Sequence, residues 1–244
     1  MKHAHRLAVL VGVLLAWECL GRQFYRVGVL VSAPSRIIAF SSAHFQRLLS
    51  DLLYTATVSA SGLLFATLIG SAVGILVFRF PRYRHALLHT FQLFQVVPVL
   101  VFAPFVSMVL DTGFVAHVTM SFLVGVFPFS SLLLDALTRV PDTYSELIRL
   151  YRLPFSCALR HVYIPLVLPA AFAAGRVTVS ICVVGATVAE FTGSIHGLGR
   201  NVFEAALRIE PELLMLSTAG IVGMGLLGVT LLRLVEARLV RWKA

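Results

Sequence analysis

Four stretches of this chain, residues 52–78, 86–110, 112–134 and 213–232, contain no Asp, Glu, Lys or Arg. Each reaches the roughly 20 apolar residues that a helix needs to cross a hydrocarbon core about 30 Å thick. A backbone in that medium must satisfy its own hydrogen bonds, so such stretches fold as helices. A fifth stretch, 161–189, is interrupted only by Arg176, and a sixth, 7–20, is shorter and contains Glu18. Six spanning helices are therefore expected. The composition agrees: 59% of the 244 residues are hydrophobic and 13% are charged, against about 25% charged in soluble domains. The mean hydropathy of +0.92 excludes a disordered chain, which needs few apolar residues and many charges.

The weakest span has a rival reading, because a basic start followed by an apolar run also describes a signal peptide. No small-x-small cleavage pattern follows it, and Ala16, Trp17 and Glu18 before Cys19 do not suit lipid attachment, so a retained helix is expected. With both ends on the same side, thirteen of the 20 basic residues fall on that side and six on the other, with Arg176 inside a span. Cytoplasmic loops hold the basic excess, which places both termini in the cytoplasm.

Both lysines, Lys2 and Lys243, are terminal. A phosphate-cradling loop needs a lysine between its glycines and a helix, so ATP cannot be bound that way, and ATP-driven work must come from a partner. The net charge of +9 is carried by arginines scattered among apolar stretches, which fits anionic lipid better than nucleic acid. Cys19, Cys157 and Cys182 have neither disulfide-framework nor zinc spacing and are read as small apolar side chains. His3 and His5 alone make a poor metal site, and no cofactor or metal is expected.

Residues 139–165 form a polar inner stretch with its own helix signals. Val140-Pro141-Asp142 stops one helix, and Thr143 to Glu146 has the pattern of a capping box, in which hydroxyl and carboxylate each take a free backbone N–H. A short helix is expected from there to about Arg152, ended by Pro154. Leu147, Leu150 and Tyr151 share one face of it, and Arg149 and Arg152 another. The apolar face needs a cover, either a partner protein or the chain's own helix ends.

Glu146-Leu-Ile-Arg149, followed by Pro165 and Pro169, resembles the "EAA" loop of ABC importer permeases, and the resemblance extends over roughly residues 17–242. It is nearest to the nitrate, sulfonate and taurine group. Trp17-Glu18, Ala33-Pro34-Ser35, Thr55, Gly62, Gly70, Gly74, Pro98, Pro104, Gly113, Pro128, Val140, Gly175-Arg176, Ala189-Glu190 and Gly197-Leu198-Gly199 follow its pattern in order. Three places depart: Leu147 and Ile148 replace two alanines, Arg152 replaces a glycine, and Val58 an arginine. Without glycine a left-handed turn is strained, and Pro154 is expected to supply the break.

The resemblance implies an all-α integral membrane protein with six transmembrane helices, type I ABC importer permease-like, in the bacterial inner membrane. Residues 1–244 would form one permease domain: an N-terminal helix and outer loop (1–51), core helices (52–138), the coupling loop (139–165), and core helices with a C-terminal tail (166–244). Glu146, Leu147, Arg149, Leu150, Tyr151 and Arg152 would contact a cytoplasmic ATPase, which binds the ATP. A homodimer and an extracytoplasmic substrate-binding protein are the other implied partners. The solute would be small: a sulfonate, nitrate, taurine or a pyrimidine vitamin precursor.

Intramembrane polar residues need partners or water. Asp135 and Arg176 both lie in cytoplasmic halves of spans and are expected to form an ion pair at the base of the loop. Glu190 with Gly197, Leu198 and Gly199 is either a gate segment or an ordinary outer loop. Gly62, Ala66, Gly70 and Gly74 recur every fourth residue, a close-packing stripe. Gln92, Gln95, His117, Ser130 and Ser131 are candidates for a polar path, with interhelical hydrogen bonding the plainer role for each. An autonomous carrier would require ion relays and often inverted repeats, and a membrane enzyme would show HExxH, GxSxG or paired carboxylates. The sequence offers neither set.

Overall fold

The computed structural model describes residues 2–25, 32–96 and 98–240, and every regular element among them is helical. The order is α1 (Lys2–Tyr25), α2 (Pro34–Ala43), α3 (Phe45–Arg79), α4 (Arg84–Val96), α5 (Val99–Leu110), α6 (Phe114–Thr138), α7 (Asp142–Leu150), α8 (Phe155–Ala158), α9 (Ile164–Glu190), α10 (Leu198–Arg208) and α11 (Pro211–Leu239). A single 3₁₀ turn, Pro81–Tyr83, precedes α4, and a π-helical turn, Leu159–Tyr163, joins α8 to α9. Among the described residues four helices are long and apolar enough to cross a membrane: Phe45–Arg79, Phe114–Thr138, Phe155–Glu190 and Pro211–Leu239.

The span expected over residues 86–110 is not one helix. It divides at Pro98, whose extended backbone (ψ 127°) precedes α5, because proline has no N–H to continue the ladder. Pro104, Pro128 and Pro169 sit inside helices, so proline alone does not set the break. The π turn Leu159–Tyr163, two residues before Pro165, is another irregularity. Such turns absorb one extra residue without ending a helix.

The centre is a three-helix contact of α3, α6 and α9. Small residues make it close: a Cβ on Gly62 would lie 2.1 Å from Ser121 Oγ, and one on Gly125 2.5 Å from Cys182 Sγ. In lipid, where apolar tails compete for apolar faces, this interlocking supplies the packing that holds helices together. Gly70 and Gly74 continue the stripe against Phe129 and Leu133. Apolar clusters run the length of the contact, from Ala103, Met120 and Ala189 at one end to Phe129, Leu133, Leu137 and Val167 at the other. Cys182 is buried there, whereas Cys19 is exposed and Cys157 half-buried, so only one of the three cysteines is the core side chain the sequence led us to expect.

Helix α1 is tied to α2 by the two N-terminal motifs. Glu18 accepts the Ser35 backbone N–H at 3.1 Å and its hydroxyl at 2.5 Å, and Gly21 lies so close to Ala33 that a Cβ would be 2.7 Å from its Cα. Helix α2 in turn reaches α11, where Ser32 donates to Glu212 at 2.9 Å.

Candidate functional site

The inner elbow is built by local rules. Pro141, with ψ 143°, stands at the cap position of α7, so Asp142 is already in the first turn. The expected capping box is therefore not formed: Thr143 has no cap position to occupy, no side chain caps the helix, and the Ser145 hydroxyl bonds the Asp142 carbonyl at 2.7 Å. Asp142 in the first turn and Arg149 in the last still complement the helix dipole.

At the other end Leu153 N–H reaches Ile148 O at 3.0 Å and Arg152 N–H reaches Arg149 O at 3.1 Å, the paired bonds of a Schellman stop. Its left-handed residue is Arg152, with φ +50°. The turn therefore survives the missing glycine, and Pro154 follows it rather than replacing it. A non-glycine residue held there stores on the order of 1–2 kcal/mol. The elbow presents Leu147, Leu150 and Tyr151 outward, with Leu150 76% and Tyr151 70% exposed. Glu146, Arg149 and Arg152 are exposed beside them. Behind it, Arg79 lies over the Phe155 ring at 5.1 Å and Phe78 meets Tyr163 edge-on at 5.0 Å.

The expected Asp135–Arg176 pair is not made. Arg176 bonds Glu236 of α11, while Asp135 pairs with Arg139 at 2.9 Å on its own helix. Helical phase explains the difference. Leu166, Ala170, Ala173 and Val177 form the α9 face that shares a cleft of about 500 Å³ with Asp135, and Arg176 lies a hundred degrees around the helix from Val177. Counting depth along two helices predicted their level but not their facing.

At the opposite end of α9, Glu190 is its last residue and only 1% exposed. Its Oε2 accepts the Gly199 N–H at 2.7 Å and lies 3.0 Å from the Thr55 hydroxyl. That hydroxyl accepts the Leu198 N–H at 2.8 Å, and Asp51 accepts the Gly197 N–H at 3.1 Å and the Asn201 amide at 2.8 Å. Thus the free amides opening α10, which no helical carbonyl can reach, are taken by α3 and α9. Gly197 has φ +113°, and a Cβ there would stand 2.4 Å from Glu190 Cδ; on Gly199 it would stand 2.4 Å from Thr187 O. Glu190 Oε1 has no hydrogen-bond partner among the described residues.

This buried clamp replaces the picture of a solvated carboxylate in an ordinary loop. Sequence reasoning named Glu190, Gly197, Leu198 and Gly199 but missed Asp51 and Asn201. The available signal was an acid immediately before a charge-free run, one helical turn ahead of Thr55. Nearby, His117 is buried with Nδ1 2.8 Å from the Tyr54 hydroxyl and Nε2 unpartnered. Ser130 bonds Val126 O at 2.7 Å, and Ser131 is half-buried. The side chains of Gln92, Gln95, His3 and His5 lie outside the described residues.

The family described as "Binding-protein-dependent transport system inner membrane component" matches residues 62–243. A Haemophilus influenzae protein described as "Probable ABC transporter permease protein" is 28% identical, over 89% of this chain and 89% of its own length. The Escherichia coli glycine betaine/proline betaine transport system permease protein ProW is 26% identical over 95% of this chain, which spans 62% of that protein. The formylaminopyrimidine transport permease protein ThiX of Halalkalibacterium halodurans is 24% identical, over 77% of this chain and 75% of its own length. A solved chain of the MetNI methionine ABC transporter, in an inward-facing conformation, superposes with a TM-score of 0.65 at 18% identity, covering 79% of this chain and 98% of that one. The fold is thus that of a type I ABC importer permease. With its matched region running from the middle of α3 through the elbow and on past α11, the chain belongs to the binding-protein-dependent transport system inner membrane component family and is the permease component of an ABC transporter.

Proposed function

We propose that this permease imports a small solute and draws its driving force from a separate cytoplasmic ATPase seated on α7. The observation that carries the reading is the outward face of Leu147, Leu150 and Tyr151 on a helix set between two spans by a strained turn. Exposed apolar side chains of that size on a polar loop gain most by being covered, and the rigid stop at Arg152 would pass a push on α7 into α8 and α9. Glu146, Arg149 and Arg152 supply charges around that contact. ATP-driven closure of two ATPases on a homodimer would then swing the helices between inward and outward openings.

In this reading both termini are cytoplasmic, the membrane is the bacterial inner membrane, and an extracytoplasmic binding protein delivers the solute. Glu190 with Gly197, Leu198 and Gly199 borders the gate, and Gln95 and Ser131 lie along the path. The named relatives favour a betaine or an aminopyrimidine, while the sequence pattern favours sulfonate, nitrate or taurine. The binding protein makes that choice.

Purification of the tagged chain from its native membrane tests the proposal. An ATPase should accompany it, and should be lost when Leu150 and Tyr151 are both changed to Glu. Solute uptake by the isolated chain in liposomes without ATP would establish the alternative, an autonomous carrier.

A further inference from the structure

We infer that Glu190, Thr55 and Asp51 form a clamp that makes the outer helix α10 move with α9, so that displacement at the coupling elbow is delivered to the extracytoplasmic face. This rests on the proposed coupling of α7 to an ATPase. Three observations carry it. Helix α9 is continuous from Ile164 to Glu190, a rod about 40 Å long at 1.5 Å per residue. One end follows the elbow through the π turn, and the other end is Glu190 itself. The carboxylate at that end grips the Gly199 amide of α10, not a neighbour within α9.

The clamp is buried and shared. Thr55, Glu190, Leu198 and Asn201 are each at most 2% exposed and Asp51 is 4% exposed. The Thr55 hydroxyl sits within hydrogen-bond distance of both Glu190 Oε2 and Leu198 N, so α3, α9 and α10 meet at one oxygen. Opening the clamp would strand buried carboxylate and amide groups without partners, which is costly. Sliding the three helix ends together strands none. The glycines at 197 and 199 are there because the carboxyl group and the Thr187 carbonyl occupy the space a side chain would need. Asp51, Thr55 and Glu190 are therefore positioning residues: they act on the gate through α10 and not by touching the solute.

The test places a reporter on α10. Leu207, 70% exposed, is changed to Cys in a chain carrying Cys19→Ser and Cys157→Ser, and the complex with its ATPase is reconstituted in nanodiscs. The rate of labelling by a charged maleimide is measured with and without ATP and vanadate. Trapping should change the rate several-fold in the parent and in Glu190→Gln, which keeps an acceptor oxygen for Gly199 and Thr55. In Glu190→Ala the change should vanish, and in Thr55→Val it should shrink, with the ATPase still bound to both. If Glu190→Ala does not fold, the Thr55→Val and Glu190→Gln pair decides alone. A vanadate-dependent change equal in parent, Glu190→Ala and Thr55→Val overturns the inference, as does its absence from a parent that holds the ATPase. Absence of any bound ATPase overturns the coupling reading instead, and the inference with it.

Discussion

The two ends of α9 are built on opposite principles. The inner elbow is exposed, polar on one side, and held by bonds between residues at most five apart, from Tyr151 with Leu147 to Leu153 with Ile148. The clamp is buried and, apart from the Gly199 to Glu190 bond, held by bonds between residues more than a hundred positions apart, such as Thr55 with Glu190 and Asp51 with Asn201. An element proposed to meet another protein can leave its apolar side chains uncovered, because the partner would complete them. An element that must hold three helices inside the molecule has to find partners for most of its polar groups internally, since a stranded buried group costs more than a typical hydrogen bond returns.

That contrast is easiest to break at the clamp. Glu190→Ala should lower stability by about 3–5 kcal/mol, because the buried Gly199 amide loses its acceptor and the truncated side chain leaves a cavity, read as a lower unfolding temperature in detergent. Gly197→Ala follows at about 2–4 kcal/mol, because the added Cβ meets the Glu190 carboxyl and the residue must keep φ +113°. The elbow should respond in the other currency. Changing Leu150 and Tyr151 to Glu should weaken ATPase association by about tenfold or more, at least about 1.4 kcal/mol, while thermal unfolding of the isolated chain hardly moves.

Smaller effects sharpen the comparison. Glu236→Ala should cost about 1–2 kcal/mol by taking the carboxylate from Arg176 in the membrane, whereas Asp135→Ala should stay within about 0.5 kcal/mol, because it pairs with exposed Arg139. Equal costs for the two would restore the pairing read from the sequence. Smallest, Arg152→Gly should raise stability by about 1 kcal/mol or less by relieving the left-handed turn, with the ATPase still bound, whereas Arg152→Val should lower it.

Legibility in the sequence followed the range of the interactions. The long apolar runs located α3, α6, α9 and α11 to within seven residues at either end, because a bilayer-length apolar run has one solution. The split at Pro98 was harder: Pro98, Pro104 and Pro128 look alike in the sequence, and only the first interrupts its helix. The elbow was legible in outline, from Pro141 to Pro154, but its cap was misread by two residues, at Thr143 instead of Pro141. Thr143 to Glu146 carries the capping pattern, yet Pro141 had already set the extended backbone that begins α7. The Arg176 partner was misread because periodicity places residues on faces without saying which neighbour each face meets.

What the sequence alone determined is the medium, the helical class and the exposed apolar edge of α7, all consequences of local composition and spacing. It also determined that ATP is not held by a phosphate loop in this chain, since its lysines stand only at the ends. The clamp was decided by tertiary structure. Whether Glu190 meets water or the amides of α10 depends on how α3, α9 and α10 converge, and that convergence is set by close packing of small residues such as Gly62 against Ser121, about two turns of α3 beyond Thr55.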